Sequence, residues 1–332
     1  MATIEDVAAL AGVSIATVSR VMNNSYIVSQ EKREKVLAAA AELHYQTNRN
    51  PVRQSENRLI IVAGTAFIYD LIAGIQDKAR ENGYDVVYYY TANQPGQLLS
   101  AGLLSRGLVD GLVLLNYQTE EQELADLLKQ YPVVQCGGSL CFAGGITVSI
   151  NNENATRDLV AHLVGTGRRR IALVMPEFGS FKPNYMSERE KGYRIALMEQ
   201  ELAFDAELIF TCDLSPESIE ENVQRMLQMK NRPDAVLCLN DSLAAGILTA
   251  LIDHGINVPA EVAVTGFDND DLTEWLRPSL TSVNQPRYEI GCECVRLLLA
   301  QMKEDNIIGR HVHLSHNLVI RGSSQNSGQS CR

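Results

Sequence analysis

Residues 1–23 read MATIEDVAALAGVSIATVSRVMN and predict two short helices joined by a tight turn. The hydroxyl of Thr3 can cap the first helix, and Asp6 places a negative charge in its first turn. Gly12 then turns the chain, and Ser14 is positioned to cap the second helix. The stretch therefore has the form of a helix-turn-helix.

The second helix has an apolar side that needs a packing partner. Val18, Val21 and Met22 fall on this side by helical periodicity. We expect a third helix to cover it. Ser29 opens that helix, whose apolar residues are Val36, Leu37, Ala40 and Leu43.

The opposite side of the second helix stays free of this packing. It consists of Ile15, Ala16, Ser19, Arg20 and Asn23. An α-helix fits the major groove of B-DNA, where an arginine can donate two hydrogen bonds to one guanine, so Arg20 is the leading base reader. Many helical bundles with this pattern bind nothing, and the residues alone leave both interpretations open.

The run DVAALAGVSIATVSRVMN resembles the headpiece of the LacI/GalR family of bacterial transcriptional regulators. The segment VSQEKREKVLAAAAELHY is similar to the third helix of that headpiece. The resemblance implies a homodimer that binds a near-palindromic double-stranded DNA operator. It further implies that the bases are contacted by Ile15, Ala16 and Arg20, and the phosphates by Thr17, Ser19 and Asn23.

The following segment, YQTNRNPVRQSENR, departs from the family. Family members usually have a short helix here that inserts a leucine into the minor groove. Pro51 disfavours a helix at the residue before it. Val52 is the nearest candidate for an apolar wedge, and Arg49 and Arg53 suit a narrow groove or a phosphate. We expect a less ordered hinge, with specificity depending more on Arg20.

From residue 59 onward, short apolar runs alternate with amphipathic segments, beginning with RLIIVAG, LIAGIQDKARENG and YDVVYYY. This alternation predicts parallel sheets covered by helices, here two doubly wound lobes that the chain crosses near residues 150 and 285. Such lobes bind small molecules at the carboxyl ends of their strands. The predicted fold class is thus α plus α/β.

The body resembles the periplasmic-binding-protein-like effector domain of the same family through RGLVDGLVLL, RPDAVLCLND, GFDNDDLT and RPSLTSVNQP. We expect a headpiece at 1–46, a hinge at 47–58 and an effector-binding and dimerisation body at 59–332. Within the body, the first lobe is expected at about 59–150 and 285–307, and the second at about 151–284 and 308–322.

The resemblance places Arg189, Asn240 and Asp268 where sugar-responsive members contact effector hydroxyls. Arginine donates, carboxylate accepts and carboxamide does both, so the three suit adjacent hydroxyls. Each also has a local alternative: a surface ion pair of Arg189 with Glu188 or Glu190, a helix cap at Asn240, and a turn at Asp268.

By the same resemblance, Phe67 and Ile68 supply an apolar wall of the cleft, with Cys136 and Leu214 further along it. The polar residues favour a sugar as effector. The alternative is a nucleoside of the cytidine type, because GFDNDDLT and QPRYEIG are most similar to nucleoside-responsive members. Whether the effector releases or promotes DNA binding stays open.

Net charge agrees with DNA contact through the headpiece only. The chain carries 29 Lys and Arg against 40 Asp and Glu. Residues 1–58 hold seven of the basic and six of the acidic residues, so the acidic excess lies in the rest of the chain. Phosphate repels an acidic surface, which confines DNA contact to the headpiece.

Other classes of protein are disfavoured. The run GTGRRR at 165–170 lacks the glycines of a dinucleotide site and the GK[ST] of a P-loop, so neither an enzyme nor a cofactor is expected. Alternation from His311 to Ile320 predicts a strand with an exposed face, not a metal site at His311, His313 and His316.

The expected location is cytoplasmic. Seven cysteines without a CxxC pair fit a reducing compartment. No apolar run approaches the roughly 20 residues that span a membrane, and the N-terminus lacks the order of a signal peptide. These features, with the DNA-reading helix, oppose a solute-binding transport receptor.

Overall fold

The chain forms two compact units, Met1–Asn57 and Arg58–Arg332. The computed structural model describes residues 3–22, 29–43, 58–91, 98, 102–115, 121–137, 145–177, 183–303 and 309–325. Most of the predicted hinge, including Arg49, Val52 and Arg53, lies outside the described residues, and so does Asn23 of the headpiece.

The first unit contains three helices, α1 (Ile4–Ala11), α2 (Ile15–Met22) and α3 (Gln30–Glu42). Thr3 and Asp6 form a reciprocal capping box at the start of α1: the Asp6 carboxylate accepts from the Thr3 backbone N–H at 2.8 Å, and the Thr3 hydroxyl oxygen accepts from the Asp6 N–H at 3.3 Å. Gly12 ends α1 in the left-handed conformation (φ 63°). The Ser14 hydroxyl oxygen accepts from the Thr17 N–H, as predicted for the second cap.

The three helices share one small core. Its buried side chains are Val7, Ala8, Ala11, Val18, Val21, Val36, Ala39 and Ala40. Leu37, which the sequence predicts to be part of this core, is 50% exposed. The buried face of α3 follows the spacing of Val36, Ala39 and Ala40, and Leu37 lies a helical step of about 100° beyond Val36. The prediction for Leu37 is therefore wrong.

The second unit consists of two lobes, each built on a six-stranded sheet. The first sheet is parallel, with the order β11-β5-β4-β3-β1-β2. Its strands are β1 (Leu59–Gly64), β2 (Asp85–Tyr90), β3 (Gly111–Leu115), β4 (Val133–Cys136), β5 (Ile146–Ile150) and β11 (Arg310–Leu314). The helices of this lobe are α4 (Tyr69–Glu81), α5 (Gly102–Ser105), α6 (Glu121–Gln130) and α12 (Arg287–Lys303).

The second sheet has the order β12-β10-β9-β8-β6-β7 and is parallel except for β12, which runs antiparallel to β10. Its strands are β6 (Ile171–Pro176), β7 (Ile209–Cys212), β8 (Ala235–Cys238), β9 (Ala263–Asp268), β10 (Thr281–Asn284) and β12 (Asn317–Val319). The helices are α7 (Asn152–Gly165), α8 (Asn184–Glu199), α9 (Pro216–Gln228), α10 (Asp241–Asp253) and α11 (Leu272–Trp275).

The chain crosses between the lobes three times, after β5, after β10 and between β11 and β12. The third crossing corrects two predictions. Residues 310–314 pair with β5 in the first lobe, so the boundary at 308 is too early, and His311–Ile320 contains two strands of different sheets. Both are edge strands with a solvent-facing side. Polar and apolar residues alternate in both strands, and this periodicity does not show which sheet each strand joins.

Helix α12 returns to the first lobe after the second crossing and packs closely on α4. A Cβ on Gly74 would lie 2.1 Å from the Tyr288 carbonyl oxygen, and one on Gly291 would lie 2.2 Å from that of Leu71. The absence of side chains at these two positions permits this approach. The start of α12 is thereby held at the junction of the lobes.

Within the described ranges, no helix has the length and apolar character needed to cross a lipid bilayer.

Candidate functional site

A cavity of about 160 Å³ lies where the two lobes face each other. The first lobe contributes the carboxyl ends of β3 and β4, through Leu115 and Cys136, and the second contributes the end of β9 through Asp268. This is the expected position for a ligand of parallel sheets. We call this cavity the inter-lobe cleft.

Arg189 is the central polar residue of the cleft. It lies on α8 and is 3% exposed. Its Nε donates to Asn152 Oδ1 at 3.0 Å, its Nη1 to the Leu239 carbonyl at 2.6 Å and its Nη2 to Asp268 Oδ1 at 3.3 Å. The guanidinium also stacks on the Phe267 ring, 3.4 Å from its centroid. These contacts fix its orientation and replace the water lost on burial.

The local alternative for Arg189, a surface ion pair, is excluded by these contacts. Glu190 pairs with Arg194 on the helix surface. Glu188 accepts a hydrogen bond from the Asn152 amide nitrogen. Arg189 therefore lies at the cleft, the position that the family resemblance implies for it.

Asp268 lies opposite Arg189 in a strained backbone conformation (φ 110°). Its Oδ1 also accepts a hydrogen bond from the Gln285 amide at 2.5 Å, and its Oδ2 is 3.9 Å from Arg287 Nη2. Burial raises the pKa of Asp268, against the opposing effect of the two arginines. Non-glycine residues with positive φ persist where their surroundings fix them, often at functional sites.

Asn240 both lines the cleft and caps a helix. Its Oδ1 accepts from the Leu243 backbone N–H at 2.8 Å at the start of α10. The amide NH₂ takes no part in this cap. A helix cap, the local alternative for Asn240, is thus compatible with its predicted position in the cleft.

The loop that carries Asp268 is held by a buried carboxylate. Asp241 is fully buried, and its two oxygens accept from the Ser282 hydroxyl at 2.6 Å and the Asp270 backbone N–H at 2.7 Å. The Ser282 oxygen in turn accepts from the Asn269 N–H. Burial raises the pKa of Asp241 to about 8. This network fixes the two residues that follow Asp268.

The predicted apolar residues divide into two groups. Ile68 and Cys136 line the cleft. Phe67 is 63% exposed and packs edge-on against Tyr88, whose hydroxyl donates to the Ala66 carbonyl and holds the loop in that position. Leu214 is 45% exposed. It follows β7, which is an edge strand of the second sheet, three strands away from β9. Neither Phe67 nor Leu214 is among the residues lining the cleft.

The sequence alone does not identify several of the residues that line the cleft. They are Ser149, Asn152, Tyr185, Gln285 and Arg287. Tyr185 precedes Arg189 by four positions, and its ring centre lies 5.2 Å from that guanidinium, so helical spacing offered a signal for it. Gln285 and Arg287 belong to the recognised QPRYEIG segment. Arg287 pairs with Asp270 at 2.5 Å, which ties the start of α12 to the second lobe.

The three histidines of the predicted cluster have separate partners. Their ring nitrogens lie near Thr147 (2.6 Å), Ser149 (3.4 Å) and Asp158 (2.8 Å). The described residues contain no group of three or more side chains suited to hold a metal ion.

The predicted DNA-reading face is only partly described. Ile15 is 47% exposed, consistent with a free face. The Thr17 hydroxyl lies 2.9 Å from that of Ser14, so this residue also takes part in the cap of α2. The backbone of Ala16, Ser19 and Arg20 is helical, and their side chains are outside the described set.

Comparisons with known proteins cover nearly the whole chain. Residues 3–48 match the model of the bacterial regulatory proteins of the lacI family, and residues 160–324 match a periplasmic binding protein-like domain. The HTH-type transcriptional repressor CytR of Escherichia coli K12 is 33% identical, over 98% of this chain and 96% of the relative.

Two solved structures are similar throughout. One is the transcriptional regulator CelR in complex with cellobiose (30% identity, TM-score 0.70, 97% of this chain and 100% of that chain). The other is the lac repressor dimer bound to operator and an anti-inducer (28% identity, TM-score 0.70, 98% and 99%). These relatives are regulators rather than enzymes. The chain has the headpiece and the two-lobed body of these regulators and is similar to them over nearly its whole length. It is therefore a DNA-binding transcriptional regulator that belongs to the LacI family.

Proposed function

We propose that the protein is a homodimeric repressor whose affinity for a near-palindromic operator is set by a small polyhydroxylated effector, a sugar, in the inter-lobe cleft. The observation that carries the effector class is the grouping of Arg189, Asp268 and Asn240 on one cavity. We place its action in the cytoplasm, where such operators are found.

The polar side of the cleft suits a ring with adjacent hydroxyl groups. Each hydroxyl donates one hydrogen bond and accepts others, so it pairs best with neighbouring donors and acceptors. Asp268 supplies an acceptor, Arg189 supplies donors, the amide NH₂ of Asn240 supplies donors outside the helix cap, and the carboxamide oxygen of Gln285 supplies a further acceptor. The solved complex of a family member with cellobiose supports a sugar as ligand.

A nucleoside is the second candidate, because the first-lobe side of the cleft is apolar. Ile68, Leu71, Leu115 and Val148 face the cavity there. A free sugar buries less of such a wall than a planar base does. The ribose of a nucleoside would contact the second lobe, and its planar base would bury this apolar wall.

DNA recognition is assigned to the headpiece, with Arg20, Ile15 and Ala16 at the bases. The solved dimer of a family member on its operator supports a homodimer that places two such helices in successive major grooves. Thr17, Ser19 and Asn23 are assigned to phosphates. Val52 and Arg53 remain candidates for the minor groove.

The effector is proposed to act by population shift. Its cleft is shared by both lobes, so an effector that contacts both favours one arrangement of the lobes. The change in DNA affinity is then limited by the difference in effector affinity between the two arrangements.

A thermal-shift screen of the full-length protein tests the effector class. Sugars, sugar phosphates, nucleosides and bases are compared, because a ligand that binds only the folded state raises the melting temperature. We expect a hit that Asp268→Asn abolishes. Asp271→Asn, an exposed carboxylate in the same loop, is the matched control and keeps the hit. A hit that survives Asp268→Asn, or no hit in any class, contradicts the assignment.

A further inference from the structure

A second cavity, of about 320 Å³, lies on the second lobe away from the inter-lobe cleft. It is bordered by Asp234 and Val262, which precede β8 and β9, whereas Asn240 and Asp268 come at or after the ends of these parallel strands. The two cavities are therefore at opposite ends of the sheet. Helix α10 runs between them over 13 residues, or about 20 Å.

The floor of this second cavity is formed by core side chains. Met226 of α9, Val236 of β8 and Leu251 of α10 line it and are each at most 1% exposed. A cavity of about 150 Å³ with such a lining accommodates a benzene ring in a well-studied engineered case. The second cavity has room for a larger ring system or a short alkyl chain.

One charged side chain on the rim is available to a ligand. Arg232 is exposed, lines the cavity and has no hydrogen-bond or ion-pair partner among the residues that the structure describes. The rim carboxylates are already engaged. Asp234 accepts from the backbone N–H groups of Arg169 (2.8 Å) and Arg170 (3.0 Å), and Glu261 accepts from that of Asn257 (2.8 Å).

The surroundings of the cavity are basic, although the chain as a whole is acidic. The arginine run 168–170 converges on this end of the lobe. Arg168 donates to the carbonyls of Pro259 and Glu261, and Arg170 donates to that of Asn231. Lys230 adds a fifth basic side chain beside Arg232. These five basic side chains outnumber the carboxylates of Asp234 and Glu261 on the rim and of Asp205, which pairs with Arg170 at 2.8 Å, and this excess favours an anion.

We propose that this second cavity binds an amphiphilic organic anion, with a ring-sized or short-chain apolar part in the cavity and a carboxylate paired with Arg232. The apolar part is desolvated against Met226, Val236 and Leu251. The planar guanidinium matches a carboxylate in two parallel hydrogen bonds. The site is separate from the effector cleft and does not depend on the identity of the effector.

Calorimetric titration of the full-length protein with octanoate tests this proposal, with octanol as the uncharged comparison. We expect saturable binding of octanoate and at least tenfold weaker binding of octanol. Arg232→Gln is expected to weaken octanoate binding about tenfold, because a charge-assisted hydrogen bond is lost. Lys230→Gln, an exposed cation two residues away that does not line the cavity, is the control and changes the affinity less than twofold.

A second variant tests the apolar part independently. Ile256→Trp enlarges a half-buried side chain of the lining and is expected to abolish octanoate binding while the melting temperature shows a folded protein. Asp268→Asn, in the inter-lobe cleft, leaves octanoate binding unchanged. Failure of octanoate to bind overturns the proposal, and so does binding that is equal in wild type, Arg232→Gln and Ile256→Trp.

Discussion

Arg189 joins three parts of the second lobe through a single guanidinium. It donates to a carbonyl that follows β8, to a side chain of α7 and to Asp268 at the end of β9. Lysine carries the same charge but has no planar fork, so it cannot satisfy the three acceptors together. The residue thus contributes to the stability of the lobe as well as to the proposed ligand site.

Arg189→Lys is expected to lower the free energy of unfolding by about 2 kcal/mol, because buried acceptors lose their donors. It should also abolish the effector-induced rise in melting temperature. Urea denaturation and thermal shift measure the two effects. Arg194→Lys, an exposed pair with Glu190, is the control and should change stability by less than about 0.5 kcal/mol. Retention of the effector response in Arg189→Lys would show that the arginine is structural only.

Asp241 gives a pH dependence of stability. Its pKa is about 8 in the folded protein and near 3.9 in an unfolded chain, so the folded state keeps a proton that the unfolded state has lost. Stability is therefore lost as the pH rises through the folded value. Between pH 6 and pH 8, the free energy of unfolding of wild type should fall by about 2 kcal/mol relative to Asp241→Asn. Parallel curves for the two proteins over this range would contradict the prediction.

Among the elements, the contact of α4 with α12 is the most sensitive to volume. A methyl group on Gly74 meets the backbone of Tyr288, which cannot rotate away. Gly74→Ala should lower the free energy of unfolding of the body by about 2–3 kcal/mol, as overpacking does. In Gly165→Ala the methyl group has no heavy atom within 4 Å, so stability should be unchanged or slightly raised. Equal denaturation midpoints for the two variants would exclude this steric explanation.

The elements show how far the sequence predicts the fold. Strands such as β1, β3 and β8 are continuous apolar runs because both faces of a parallel sheet are covered, and this pattern predicts them. The separation of β11 from β12 depends on partners distant in sequence, which local alternation does not specify. Likewise, Leu37 differs from its buried neighbours only by its angle around α3.

The resemblance to the family places Arg189, Asn240 and Asp268 at the cleft. Asn240 and Asp268 also lie at the carboxyl ends of β8 and β9, where parallel sheets bind ligands. Phe67 and Leu214 lie in loops, whose course depends on tertiary contacts such as that of Phe67 with Tyr88. Arg287 is positioned at the site by its ion pair with Asp270, which forms where the chain makes its second crossing between the lobes. Such contacts join residues that are distant in sequence and form only when the lobes are folded, so local sequence patterns do not predict them.

At the scale of the whole molecule, operator binding is assigned to the first unit, whose charge is nearly balanced. Effector binding is assigned to the second unit, which is acidic. An acidic body contributes little to phosphate binding, so operator affinity should depend on the headpiece. Arg20→Ala should then abolish operator binding and leave the effector-induced thermal shift intact. Asp268→Asn should have the opposite effect. Anisotropy with a selected operator and thermal shift on the same preparations measure both, and a variant that loses both functions would argue against this division.

Coupling between the units must be reciprocal if the effector regulates DNA binding. When saturating effector changes operator affinity by some factor, saturating operator must change effector affinity by the same factor, since both legs belong to one thermodynamic cycle. We expect the effector to change operator affinity by a factor of roughly 5 to 150, the usual range of allosteric coupling. Titrations of effector with and without operator, and of operator with and without effector, give the two factors. Unequal factors would point to a further linked equilibrium, such as dimer dissociation, and a factor of one would exclude the effector as a regulator of DNA binding.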